Sequence, residues 1–274
     1  MNNPVSIIIP VYNQGKFIRD AIDSVERCEK SLYDLLIVND GSNDVLTLKV
    51  LDELRSDGYK ILDQENRGLA EARNRGIREA KSEFILPLDA DNKIRPAYLE
   101  KSLQIFRTAP QIGVIYGDLE FFGERQGRLN APEPDPDLLI AYNFIDACAI
   151  FRKIVWEDCA GFDSCMPISG FEDWDFWLRA VEANWKFFHI PEILFDYRVR
   201  SDSMLQTCRL DPQKMEALHR YVYAKHWTAA QKAILKAYGP QISTNHLAAN
   251  SKPRWSIKLK RYVKKVLGFF QKSV

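Results

Sequence analysis

Four short apolar runs, separated by stretches of helical periodicity, constrain this chain more than any other feature. They are Val5-Ser6-Ile7-Ile8-Ile9-Pro10, Asp34-Leu35-Leu36-Ile37-Val38-Asn39, Tyr59-Lys60-Ile61-Leu62 and Phe84-Ile85-Leu86-Pro87-Leu88. A run of about five apolar residues is too short for a core helix and suits a strand covered on both faces. Helical spacing fills the intervals: Lys16 to about Cys28, Val45 to Arg55, and Gly68 to Ala80, with a break at Asp57-Gly58. This alternation predicts an α/β fold with a parallel sheet and right-handed crossovers. Further on we expect a helix from Pro96 to Thr108, a strand at Gly113 to Tyr116, and a long loop with three prolines from Gly123 to Asp137, of the kind that forms lids. Phe144 to Phe151 is again apolar, and the helix after it stops near Gly161. Two strands, Trp185–Ile190 and Ile193–Val199, are expected either side of Pro191, and an amphipathic helix from Asp211 to about Tyr238.

The fourth run delivers two carboxylates, Asp89 and Asp91, spaced by the small Ala90, to the point where the strand stops. Ligands collect outside the carboxyl ends of strands in open α/β sheets. Mg²⁺ characteristically takes one or two carboxylates plus substrate phosphates, so the spacing suggests a metal-bound phosphate ester. The plainer alternative is a turn that caps the next helix. In the preceding helix Arg73 shares the inward face with Leu69, Ala72, Gly76, Ile77 and Ala80. Its head either snorkels to water or meets a diphosphate near the acids.

A second informative stretch runs from Ser169 to Arg179. Ser169 and Glu172 form a capping-box pattern for a helix start. Helical spacing then puts Asp173 with Phe176, Trp177, Ala180, Val181 and Asn184 on the inward face, and Glu172, Asp175, Arg179 and Glu182 on the polar side. An inward acid near a helix N-terminus is raised in pKa by desolvation and lowered by the helix dipole. The alternative role for Asp173 is to satisfy free helix N–H groups.

Composition is that of a globular chain, with 46% hydrophobic and 27% charged residues in 274. Its net charge of +1 hides an asymmetry: eight of the 38 Lys and Arg, and none of the 37 acids, lie in 251–274. In that tail Trp255, Leu259, Tyr262, Val263, Val266, Leu267 and Phe270 share one helical face. A basic amphipathic helix of this kind reads as an element lying on an anionic membrane surface. The acidic body, without a basic aromatic face, argues against nucleic acid as a partner. Five cysteines without a C-x-x-C pair, no basic leader and no long apolar stretch suggest a cytoplasmic protein, peripheral on the inner membrane face through the tail. The four histidines lack metal-site spacing and read as ordinary.

Together these stretches resemble the family 2 glycosyltransferases, inverting enzymes of the GT-A fold that use nucleotide-diphosphate sugars. The resemblance runs from Val5 to about Ser203 and rests on the opening strand, Val38-Asn39-Asp40-Gly41-Ser42, Asn66 to Gly76, the Asp89-Ala90-Asp91 DxD motif and the Glu172-Asp173 pair. It implies a mainly parallel mixed sheet flanked by helices, with a GT-A domain over 1–205, a C-terminal helical extension over 206–250 and the basic tail over 251–274. It implies that Asp40 contacts the nucleotide base, walled by Pro10, Val11 and Tyr12, and that Arg73, Asp89 and Ala90 line the nucleotide sugar. Asp91 with Asp89 would hold Mn²⁺ or Mg²⁺, and Asp173 would be the general base. Glu172, Trp174 and Arg200 are expected near the acceptor or leaving group. The implied donor is a nucleotide-diphosphate sugar, a UDP-sugar first, and the acceptor a glycan or lipid-linked hydroxyl. Many relatives carry Asp where Asn92 stands and a metal-binding His where Arg200 stands, which leaves the metal shell incomplete and room for an Arg at the diphosphate.

Two other readings compete. A sugar-phosphate nucleotidyltransferase should show a Gly-rich, Lys- and Arg-bearing loop after the first strand, but Val11 to Lys16 holds one Gly and one Lys. A non-catalytic nucleotide- or glycan-binding protein would bind donor without turning it over.

Overall fold

The computed structural model describes residues 3–233 and 236. Its strands are β1 Val5–Val11, β2 Tyr33–Asp40, β3 Lys60–Gln64, β4 Phe84–Pro87, β5 Lys93–Ile94, β6 Ile112–Gly123, β7 Gly127–Leu129, β8 Ile150–Arg152 and β9 Lys186–Val199. The helices are α1 Ile18–Glu26, α2 Val45–Ser56, α3 Leu69–Glu79, α4 Ala97–Thr108, α5 Pro136–Ala141, α6 Lys153–Asp158, α7 Glu172–Glu182, α8 Met204–Arg209 and α9 Pro212–Lys225. All nine strands share one sheet in the order β3-β2-β1-β4-β8-β6-β9-β5, with β7 on β6.

The apolar runs behave as strands covered on both faces, and β1 is buried at every position. Helices α1, α2 and α4 fill one side of the sheet, while α3, α6 and α7 fill the other. The first four strands in that order pair in parallel, as the helical crossovers require. Beyond β4 the sheet is mixed: β8 is antiparallel to β4 and β6, whereas β6 and β9 run parallel over most of their length. This is the expected mainly parallel mixed sheet flanked by helices.

Three local expectations need correction. β9 is one strand, because a register shift opposite Gly117 and Asp118 bulges out Pro191 and Glu192 and spares the ladder a missing donor. The Gly123 to Asp137 loop contains β7, which folds back on β6. The helix from Asp211 ends at Lys225, with His226 as its C-cap, and helical backbone resumes over 227–233. The expected basic tail over 251–274 lies outside the described residues. Among the described residues no helix is long and apolar enough to cross a membrane.

α3 is set hard against the sheet. At Gly76 a Cβ would lie 2.3 Å from Ile8 Cγ2 and 3.1 Å from Val38 Cγ2, so only glycine permits this approach. One turn earlier the same inward face carries Arg73, 2% exposed.

Candidate active site

Register brings the expected residues to one edge. Val11 pairs with Asn39, so Asp40 projects one residue beyond β1, and the DxD motif begins two residues past β4, itself paired to β1. Pro10 and Val11 are buried, while Tyr12 is exposed beside the edge. Asp40 accepts hydrogen bonds from Gln64 Nε2 at 2.7 Å and from the backbone N–H groups of Arg67 and Gly68, each at 2.9 Å. It therefore anchors the loop that opens α3. Gly41 follows at φ +69°, and a Cβ there would sit 2.6 Å from Asn66 N, so this turn requires glycine twice over.

Arg73 Nη2 donates to Asp89 Oδ1 at 2.6 Å, and its guanidinium lies 5.6 Å from the Phe162 ring centre. Burial alone would lower the Arg73 pKa, but Asp89, Glu172 and Asp173 together hold it above the usual value. Its Nε is buried without a hydrogen-bond partner. Ala90 is packed into the core, which leaves its two acidic neighbours at the edge. Burial, then repulsion by Asp89, pushes Asp91 up to about 6, although Arg200 and Arg198 pull the other way. Arg200 Nε lies 3.2 Å from Asp91 Oδ2 as an ion pair, and its guanidinium rests 4.6 Å from the Phe17 ring centre. Asn92 Oδ1 accepts from Arg198 N at 2.9 Å and Arg198 Nε donates to Asp91 O at 3.0 Å, so Asn92 serves to tie the motif to the end of β9.

Among the described residues, no three of His, Cys, Asp and Glu converge to hold a cation by themselves. What the protein offers is a pair of mutually repelling carboxylates, a donor set that Mg²⁺ or Mn²⁺ completes with diphosphate oxygens. The residues present fit such a cation on those terms.

The third part of the site comes from α7 and the segment before β8. Asp173 Oδ1 accepts from Trp174 N at 2.7 Å and Oδ2 from Asn143 Nδ2 at 3.0 Å, which fixes the carboxylate. Burial, then repulsion by Asp146, raises it to about 7, with Arg73 opposing. Asp146 and Asn143 are site residues that sequence reading missed. Asp146 is likewise raised to about 7, by burial and then by Asp89. A lone Asp inside an apolar run carries no spacing signal; only the weak hint of a charge in Phe144 to Phe151 was available.

Four expectations for α7 need revision. The helix starts at Glu172 with Phe171 as N-cap, so Ser169 does not cap it. Glu172 is buried and its Oε2 accepts from Gly170 N at 2.8 Å. Trp174 is 1% exposed, with Nε1 donating to Leu139 O at 2.7 Å, and belongs to the core rather than to a surface that an acceptor could touch. Asp175, expected on the polar side, is fully buried against Arg179, Lys225 and His226. Both faces of α7 are covered, one by the sheet and the other by α9.

Residues 6–159 match the sequence model of glycosyl transferase family 2. The chain is 25% identical over 261 residues to a poly-beta-1,6-N-acetyl-D-glucosamine synthase of Staphylococcus epidermidis, an alignment covering 89% of this chain and 58% of the relative. It is 23% identical over 246 residues to a glycosyltransferase of Methanocaldococcus jannaschii, covering 83% and 81%. Among solved structures it resembles S. aureus TarS in complex with UDP-GlcNAc, with TM-score 0.62 and 18% identity over 86% of this chain and 75% of that one. It also resembles the mannosyltransferase PcManGT of Pyrobaculum calidifontis in complex with GDP-Man and Mn²⁺, with TM-score 0.58 and 17% identity over 96% and 80%.

Proposed function

The chain belongs to glycosyl transferase family 2, and from that premise we propose that it transfers a sugar, with inversion, from a nucleotide-diphosphate donor to a hydroxyl acceptor, Asp173 being the general base. The observation that carries this reading is the Asp173 carboxylate: fixed by Asn143 and Trp174 N, raised to about 7, and sharing Arg73 with Asp89 of the DxD pair. Removing a proton from an incoming hydroxyl is work for a positioned carboxylate whose pKa lies near the working pH. A single base opposite the leaving group gives in-line displacement and needs no carboxylate nucleophile.

The other residues divide the donor between them. Pro10, Val11 and Tyr12 wall the base, and Asp40 holds the loop over it, with one lone pair of Oδ2 left for the base itself. Asp89 and Asp91 would hold Mn²⁺ or Mg²⁺, which when bound neutralises charge on the departing diphosphate as a Lewis acid. Arg73 orients Asp89 through Nη2, and Arg200, once freed from Asp91, would follow the diphosphate. Glu172 supports the Gly170 turn beside the acceptor side. Solved neighbours carry UDP-GlcNAc, UDP and GDP-Man, and we take a UDP-sugar as donor and a glycan or lipid-linked hydroxyl as acceptor.

The test compares Asp173→Asn with wild type across UDP- and GDP-sugars. Loss of a general base costs about 10²- to 10⁴-fold in rate, while donor affinity should stay within a few-fold because the nucleotide rests on other groups. Near wild-type turnover, or donor affinity falling in step with rate, would remove Asp173 from the role of base. Excess EDTA in the same assay should abolish wild-type transfer, and full activity in it would exclude the cation.

A further inference from the structure

Segment 143–149 is an apolar stretch with two exceptions. Phe144, Ile145, Ala147, Cys148 and Ala149 are buried, whereas Asn143 and Asp146 stay partly open. The segment is pinned on three sides: Trp177 Nε1 donates to Ile145 O at 3.0 Å, Tyr98 OH to Cys148 O at 2.8 Å, and Asn143 Nδ2 to Asp173 Oδ2 at 3.0 Å. Asp146 is thus held rigidly, and it lines a small cavity with Tyr116, Phe144 and Phe195.

Nothing in the fold accounts for a carboxylate there. Its Oδ1 accepts from Cys148 N at 2.8 Å, and no described residue donates to Oδ2. The charges it feels most are like charges, Asp89 foremost, offset by Arg73. Asp173 in turn feels Asp146 more than any other charge. A half-buried acid among acids is costly unless something else pairs with it, and Asn or Ser would make the same turn without that cost.

Its place supplies the reason. In an in-line displacement the sugar ring lies between the leaving diphosphate and the attacking hydroxyl. On the glycosyltransferase reading, on which this inference rests, Asp89 and Asp91 mark the first and Asp173 the second. We propose that Asp146 is a specificity residue that accepts hydrogen bonds from hydroxyl groups of the transferred sugar through its free oxygen. A fixed acceptor in a cavity wall discriminates, because a bound sugar that lacks or misplaces the hydroxyl covers it and leaves it unpaired.

The test is calorimetric titration, in Mn²⁺, of UDP, UDP-glucose, UDP-galactose, UDP-GlcNAc, GDP and GDP-mannose into wild type and Asp146→Asn. In the variant the bare diphosphates should bind within about twofold of wild type, while the preferred nucleotide sugar weakens by about 10- to 100-fold and the spread between glucose and galactose donors narrows. Equal weakening of the bare nucleotide and the nucleotide sugar would assign Asp146 to the metal or the fold and overturn the proposal. So would an unchanged preference for the sugar. Should Asp146→Asn fail to fold, Asp146→Ser is read by the same criteria. A wild-type protein that binds none of the six would defeat the proposed UDP- or GDP-sugar donor on which this inference rests, whereas donors bound with an indifferent Asp146→Asn would defeat this assignment alone.

Discussion

At the residue scale the decisive feature is that Asp173 feels two neighbouring charges above all others, Asp146 raising its pKa and Arg73 lowering it. A base must be ionised to act, and a carboxylate at about 7 loses its ionised fraction tenfold per pH unit below that value. Turnover should therefore fall on the acid side of neutrality and level off above it. Asp146→Asn removes the repelling charge and should carry that limb to lower pH, whereas a profile that stays in place would show that Asp146 and Asp173 do not sense one another. Sequence reading singled out Asp89, Asp91, Arg73 and Asp173 because each stands in a short-range pattern: a strand end, a helix face, a helix start. Asp146 stands in none, since its partners come from β4 and α7, far away in the chain. Trp174 failed in the opposite way, because an aromatic beside the proposed base looks like a substrate contact until the indole N–H is seen to be taken by Leu139 O.

At the element scale α7 is held from behind. Asp175 accepts from Arg179 Nε at 2.9 Å, lies 2.8 Å from Lys225 Nζ and 3.0 Å from His226 Nε2, while His226 Nδ1 lies 2.9 Å from Glu182 Oε1. Both imidazole nitrogens face carboxylates, so only the doubly protonated ring can donate to both. The amphipathic period of α7 was legible, but which side is polar was not, because α9 covers the side that would otherwise face water. Burial would raise Asp175, but His226, Arg179 and Lys225 overcome it and hold the carboxyl at about 2; burial would lower His226, but Asp175 and Glu182 raise it. The depressed carboxyl contributes stability that is present above its unfolded value near 4 and lost as pH falls towards 2, by about 2 kcal/mol. The raised His226 works in the other direction, present below its unfolded value near 6.5 and lost as pH rises through its folded value. Asp175→Asn should therefore lower Tm clearly at pH 6, with the gap to wild type closing towards pH 2 as the wild-type carboxyl protonates. A gap that persists undiminished at pH 2 would mean that packing, not charge, joins α9 to α7.

For the whole molecule, the parallel half of the sheet could be read from the alternation of strands and helices, and with it the edge where Asp40 and the DxD acids meet. The antiparallel half could not, because β7 and β8 are three residues each and such short strands leave no periodicity to count. Pro191 likewise looked like a strand end because a bulge is a property of the pair, not of one strand. The charge division remains to be used: 30 Lys and Arg stand against 37 acids before residue 251, and eight against none after it. An acidic body is repelled by an anionic surface, so any attraction must come from the tail, where each Lys or Arg near such a surface is worth about 1 kcal/mol within a Debye length. If the expected tail helix forms, its apolar residues from Trp255 to Phe270 would add burial that salt does not screen. Flotation with liposomes of phosphatidylglycerol and phosphatidylcholine should carry the full chain upward, less so at high salt, and should leave behind a chain ending at Asn250. The two working together would give the enzyme a lipid-linked acceptor at a surface rather than in bulk solution. Equal flotation of the two chains would place membrane affinity elsewhere, and flotation of the full chain on neutral vesicles alone would show that its apolar face, not its charge, does the binding.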